Sequence, residues 1–138
     1  MIDNKIIKFI ERHHLLSLAT IDSDGSPYCA STFYAFNGKT ERFVFSTDTT
    51  TKHGANIVRD GRVSATIALE TKVVGKIQGV QIVGRVVESD NSDKLSYIAK
   101  FPYAAAIPTL HLWSLEPTMI KLTDNRLGFG KRLIWNRE

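Results

Sequence analysis

The 138-residue chain contains a single cysteine, Cys29. No disulfide can form within it, and no cysteine-based zinc site. Nowhere do three Lys or Arg residues stand in a row, so the basic stripe that tracks a phosphate backbone is missing. Nucleic acid is therefore not an expected partner, although the formal net charge is +4 and the pI about 9.3. Long apolar runs are missing as well. The longest uncharged stretch, Phe101 to Leu115, is interrupted by Pro102, Pro108, Thr109 and His111, and a membrane helix needs roughly 20 mostly apolar residues. Asp3, Lys5, Lys8 and Glu11 put charge where a secretory signal would carry its apolar run, so the expected location is the cytoplasm, with no membrane partner. The chain has neither a Gly-rich dinucleotide fingerprint nor a serine motif of hydrolase type.

What is present suffices for a core. Hydrophobic residues make up 43% and charged residues 23%, ordinary proportions for a globular protein, and the length favours a single domain over residues 1–138. Residues 3 to 13 read as an amphipathic helix, with Ile6, Phe9, Ile10 and His13 at three-and-four spacing and Asp3 or Asn4 as its cap. The period then changes to that of strands. Leu15 to Ile21, Tyr28 to Phe36 and Arg42 to Thr47 are separated by the turn Asp22-Ser23-Asp24-Gly25 and the hairpin signal Asn37-Gly38. Thr49-Thr50-Thr51 caps a short helix, Lys52 to Arg59. Strands follow at Arg62 to Glu70 and Lys76 to Glu88, where Gly79 and Gly84 predict bulges or strong bending. A helix from Ser92 to Lys100 and an Ala-rich turn between Pro102 and Pro108 come next. Two strands near His111 to Leu115 and Thr118 to Leu122, and a last segment at Arg132 to Trp135, complete the chain. This order predicts a mostly β protein with flanking helices, a small antiparallel barrel of six or seven strands.

The most informative segment is Phe45-Ser46-Thr47-Asp48-Thr49-Thr50-Thr51-Lys52-His53. A strand ends, hydroxyls cluster, and a helix starts with a cation in its first turn. Free N–H groups at a helix start attract anions, and Thr hydroxyls with a Lys ammonium add donors around a phosphate. The alternative is that the threonines cap the helix and Lys52 is solvated; composition leaves the two level. Here the sequence resembles the FMN-binding split-barrel family typified by pyridoxamine-phosphate oxidase. The resemblance runs from Leu15, Ser17, Leu18, Ala19 and Thr20 with Asp24-Gly25-Ser26-Pro27, through Phe43 to Thr47, Thr51-Lys52 and Asn56-Ile57, to Arg62-Val63-Ser64 and Val80 to Gly84. The closing run Thr123 to Lys131 with Trp135 looks like a small bacterial branch of undefined activity.

The resemblance implies a split β-barrel that binds FMN between the two copies of a homodimer. It sets Ser31, Thr32 and Phe33 beside the flavin ring, Ser46 and Thr47 near the ring and ribityl chain, and Thr51, Lys52 and His53 around the phosphate. The family often has two adjacent cations at that clamp, where this chain has Lys52 followed by His53. A strand glutamine often touches the ring in the family; Gln81 has the matching parity, whereas Gln78 points to the other face. By the same analogy Asn125 and Lys131 approach the flavin from the second chain, against the plainer reading of a turn and a solvated flank. The spacing of basic residues around Trp135 that would hold a substrate phosphate is absent, which argues against pyridoxamine phosphate as substrate.

Other residues favour bland explanations. His13 and His14 point about 100° apart on a helix and cannot share a metal, Asp22 and Asp24 serve a turn, and Cys29 reads as a small core residue. No metal site and no catalytic side chain is assigned. The expected function is a flavin-dependent oxidoreductase acting on a small molecule. The alternative is a non-enzymatic flavin- or haem-binding protein, with His53 or His111 as the candidate axial ligand. A third reading, a nucleic-acid-binding barrel using Phe33, Tyr34 and Phe36, is the weakest, because those rings alternate faces.

Overall fold

The structure, a computed structural model, describes residues 1–128 and 131–138; Phe129 and Gly130 of the closing run lie outside the described residues. Helix α1 (Asn4–Arg12) starts where the Asp3 carboxylate accepts the Lys5 N–H at 2.8 Å, and it buries Ile6, Phe9 and Ile10. Seven strands follow: β1 (Leu15–Ile21), β2 (Pro27–Asn37), β3 (Arg42–Ser46), β4 (Arg62–Ala68), β5 (Gln78–Glu88), β6 (Leu112–Asp124) and β7 (Arg132–Asn136). Helix α2 (Lys52–Arg59) joins β3 to β4, and α3 (Asn91–Lys100) leads from β5 towards β6. Short 3-10 turns occupy Val74–Lys76, Pro102–Ala106 and Asn125–Leu127.

All strand pairs are antiparallel, in the order β3-β2-β1-β4-β5-β6-β7. A further pairing of β3 with β6 closes the first six into a barrel, and β7 stays outside, paired to β6. The interior follows from strict alternation. Leu16 and Leu18 of β1, Val63, Ala65 and Ile67 of β4, and Val80 and Ile82 of β5 all point inward. With the α1 side chains and Phe43, Phe45, Leu115, Ile120 and Leu122 they form one cluster, in which each side chain larger than Ala65 contributes about 1.5–3 kcal/mol of burial. A smaller cluster seats α3 through Tyr97 against Ala35, Val44, Ala104 and Leu112.

Asp93 ties these parts together. Its side chain is fully buried and accepts from Asn37 Nδ2 (2.8 Å), Thr40 Oγ1 (2.7 Å), Arg42 Nη1 (3.2 Å), Ser114 Oγ (3.1 Å) and the Asp90 N–H (3.1 Å). One carboxylate thus pins the β2–β3 hairpin, α3 and β6. Burial opposes its ionisation, but these hydrogen bonds outweigh burial and hold the carboxyl below its usual range. Arg42 is shared with Glu116, 2.9 Å away.

Three expectations need correction. The two strands read near His111 to Leu115 and Thr118 to Leu122 are one strand, β6. Pro117 does not break it, because the register shifts between Val83 and Gly84 opposite and proline is tolerated at such a bulge. Gly84 is required there: a Cβ would lie 2.2 Å from the Glu116 carbonyl oxygen. Gly79, read like Gly84 as a bulge or a strong bend, forms no bulge and sits in unbroken register with Ala68 and Thr123. Cys29 is exposed, not in the core. With Tyr34 inside, alternation along β2 turns Cys29, Ser31 and Phe33 to the outer face.

Candidate functional site

Three elements meet at the start of α2. β3 delivers half-buried Ser46 and buried Thr47. The Thr51 hydroxyl caps α2, accepting the Gly54 N–H at 3.2 Å while donating to the Asp48 carbonyl at 2.6 Å. Gly54 lets the loop lie against the helix, since a Cβ there would stand 2.0 Å from the Asp48 carbonyl oxygen. Behind the first turn, Asn56 donates to Thr20 Oγ1 (3.1 Å) and Arg59 to the Ile21 carbonyl (2.7 Å), fixing α2 to the end of β1.

Lys52 is neither buried nor merely solvated. Its ammonium lies 2.8 Å from Asp22 Oδ2 and 5.0 Å from the centre of the Tyr28 ring. The pair keeps the Asp22 carboxyl below its usual range and pushes the Lys52 amine up. Burial pushes the pKa of His53 down from its ordinary value, which disfavours a second charge beside Lys52 at the helix start. Beside it, Ser46, Thr47, Asp48 and Thr49 face Thr109 and His111 across a cavity of about 450 Å³. His111 stacks on Trp113 with ring centres 4.4 Å apart, and its Nε2 lies 3.4 Å from Glu88. The buried Trp113 indole N–H has no hydrogen-bond partner among the described residues.

The remaining sequence candidates fall into three places. Ser31 and Phe33 stand exposed on the outer face of β2, whereas Thr32 turns the other way and donates to the Ser46 carbonyl at 3.3 Å. Gln81 is exposed on the outer face of β5, above a groove of about 380 Å³ shared with Thr66, Ala68 and Thr123, and Gln78 is buried, as parity required. Asn125 and Lys131 sit beyond the far end of β6. Asn125 bonds the Val74 carbonyl through its side chain and the Ile77 carbonyl through its N–H. Register puts them at the Leu15 end of β1 and Lys52 at the Ile21 end, about 20 Å away at roughly 3.3 Å per residue. Within one copy these two groups do not meet.

Residues 2–124 match the sequence profile of the family described as pyridoxamine 5'-phosphate oxidase. The chain belongs to that family. It is 36% identical to the UPF0306 protein plu4501 of Photorhabdus laumondii over 136 residues, 96% of this chain and 94% of that protein. Among solved structures it is similar to a pyridoxamine 5'-phosphate oxidase-related, FMN-binding protein from Nostoc punctiforme (TM-score 0.71, 15% identity, 98% of this chain and 90% of that one). It is also similar to a heme-binding protein from Mycobacterium smegmatis (TM-score 0.74, 17% identity, 89% and 52%). At these identities the two structures establish the fold alone. Among the described residues no helix is long and apolar enough to cross a membrane, and no three His, Cys, Asp or Glu side chains group as a metal centre would require.

Sequence reading missed Asp22 as the partner of Lys52, because thirty positions separate them and Asp22 is fully explained by its turn. It also missed the contact of Arg12 and Arg126 with Gln78, for which local spacing offers no signal.

Proposed function

We propose that the protein binds FMN as a homodimer and serves as a flavin-dependent oxidoreductase for a small molecule. The observation that carries this is the start of α2. Lys52 follows the capping Thr51 at the start of the helix, its ammonium held by an ion pair it can exchange, and Thr47 and Thr49 line the adjoining cavity. Hydroxyls, helix-start amides and one ammonium form a donor set suited to a phosphate monoester. FMN, when bound, supplies the capacity to accept and return a hydride. The chain's own share is to position and shield. In this reading Lys52 leaves Asp22 for the phosphate, Thr51 keeps the helix start in place, and Ser31, Phe33, Ser46 and Thr47 bound the ring and ribityl chain. His53, its pKa lowered by burial, offers a hydrogen bond in preference to a charge. Gln81 is assigned to the ring, and Asn125 and Lys131 to it through the second copy, since one copy holds these two about 20 Å from Lys52. Leu15, Phe33, Val83 and Ile134 are about half exposed on the outer face, where a second copy would cover them in an interface above about 1,000 Å².

The test has three parts. Cofactor released by denaturation has the mass of FMN; a Soret band with no flavin overturns the assignment in favour of haem. Lys52→Ala weakens FMN about 10- to 100-fold and leaves riboflavin, which lacks the phosphate, unchanged. An unchanged FMN affinity removes the phosphate clamp, and a monomer in light scattering with cofactor bound removes the shared site.

A further inference from the structure

A second concentration of positive charge lies at the opposite end of the barrel. α1 presents Lys5, Lys8 and Arg12 along one stripe, at the spacing that aligns side chains on a helix face. Facing them across a recess of about 250 Å³ is Arg126, on the turn after β6, with Phe9 and Leu122 in the lining. Asp124 is the one carboxylate in the lining, and Arg126 already occupies it, with Nε 3.2 Å from one oxygen and Nη2 3.1 Å from the other. Among the described residues, Lys5, Lys8 and Arg12 enter no ion pair. The arrangement has a focal point. The oxygen of buried Gln78 accepts both Arg12 Nη2 (3.3 Å) and Arg126 Nη2 (3.0 Å). Two guanidinium groups are thereby drawn to one neutral acceptor beside a single carboxylate, so that four cations face one anion across the recess.

We propose that this recess binds a small organic dianion, its charged group held by Arg12, Arg126 and the two α1 lysines and its apolar part resting on Phe9 and Leu122. The volume excludes a dinucleotide and suits a compact phosphoryl or polycarboxylate compound. The two arginines give planar, paired donors for either oxyanion, and the lysines supply charge without fixed geometry. The recess shares no residue with those assigned to the flavin, although Arg126 follows Asn125 on the same turn.

Titration calorimetry of the full-length protein as purified, at low salt, with phenyl phosphate and with phthalate, both dianions with an apolar ring, tests it and separates the phosphoryl from the carboxylate source. Saturable binding of at least one probe is expected. Lys8→Glu and Arg12→Gln each weaken it by about tenfold or more, and Lys94→Glu, the same charge change on the exposed face of α3, leaves it within about twofold. Circular dichroism verifies that each variant folds, and Arg12→Gln serves alone if Lys8→Glu does not. No saturable binding up to about 10 mM overturns the proposal. Equal losses in Lys8→Glu and Lys94→Glu overturn it as non-specific attraction. A loss confined to Lys52→Ala overturns it by moving the anion to α2, without touching the FMN reading.

Discussion

Asp93 and Lys52 each join elements distant in sequence through charge, yet they are built in opposite ways. The Asp93 carboxylate is fully buried and accepts from four side chains and one backbone N–H. Lys52 is half exposed and has one ion-pair partner, Asp22, reinforced by the Tyr28 ring. A buried charge with every lone pair engaged cannot change partners without a large cost, so it fixes structure. An exposed pair with a single bond contributes little to folding and is free to exchange. The contrast separates a charge that defines the fold from one positioned to meet a ligand.

Substitutions sharpen that contrast. Asp93→Ala takes one acceptor each from Asn37, Thr40, Arg42 and Ser114 in the interior, and the expected destabilisation is about 3–5 kcal/mol in denaturant unfolding. A loss below about 1 kcal/mol would erase the distinction. Gly54→Ala forces the Asp48 backbone away from α2, at an expected cost of about 1–3 kcal/mol together with weakened FMN binding. Gly75→Ala, where a Cβ meets open space, serves as its control and should leave the melting temperature unchanged.

Acid separates the two carboxylates in a smaller way. The depressed pKa of Asp93 adds stability that is fully present above its unfolded value, near 3.8, and is lost as pH falls through the still lower folded value. Wild type should therefore lose stability below about pH 4 more steeply than Asp93→Asn. Asp22→Asn, which removes a carboxylate depressed mainly by one bond to half-exposed Lys52, should stay closer to wild type; coincident acid profiles for all three proteins would refute this. The smallest effect expected is a gain. Asp22→Asn frees Lys52 and removes a negative charge near the phosphate, so FMN should bind about two- to fivefold more tightly by fluorescence titration. A loss of affinity instead would mean that Asp22 holds Lys52 in its binding position.

Local signals were legible in the sequence. Leu15–Ile21 and Lys52–Arg59 appear with the expected bounds because alternation, a threonine cap and an Asp-Gly stop are all short-range features. The barrel could be read from strand order and tight turns. Whatever depended on register could not. Pro117 seems to end a strand until Gly84 is known to lie opposite, and Cys29 looks like core until Tyr34 claims the interior face of β2. The Thr51 cap was readable from its neighbours. The Lys52–Asp22 pair and the Asp93 cluster were not, since each joins segments whose proximity only the closed sheet creates.

The closure of the barrel has a consequence for synthesis on the ribosome. β3 pairs on one side with β2, its immediate neighbour in the chain, and on the other with β6, where Phe43 lies opposite Leu115 about 70 residues later. At about 5–20 residues per second, β3 waits roughly 4–15 s for that partner to be made. During the wait its open edge is a template for the strands of other chains. Arg42, at the start of β3, puts a cation on that edge before Glu116 and Asp93 arrive to neutralise it, and charge on an open strand discourages such pairing. A residue that later locks the finished barrel thus also guards the unfinished one.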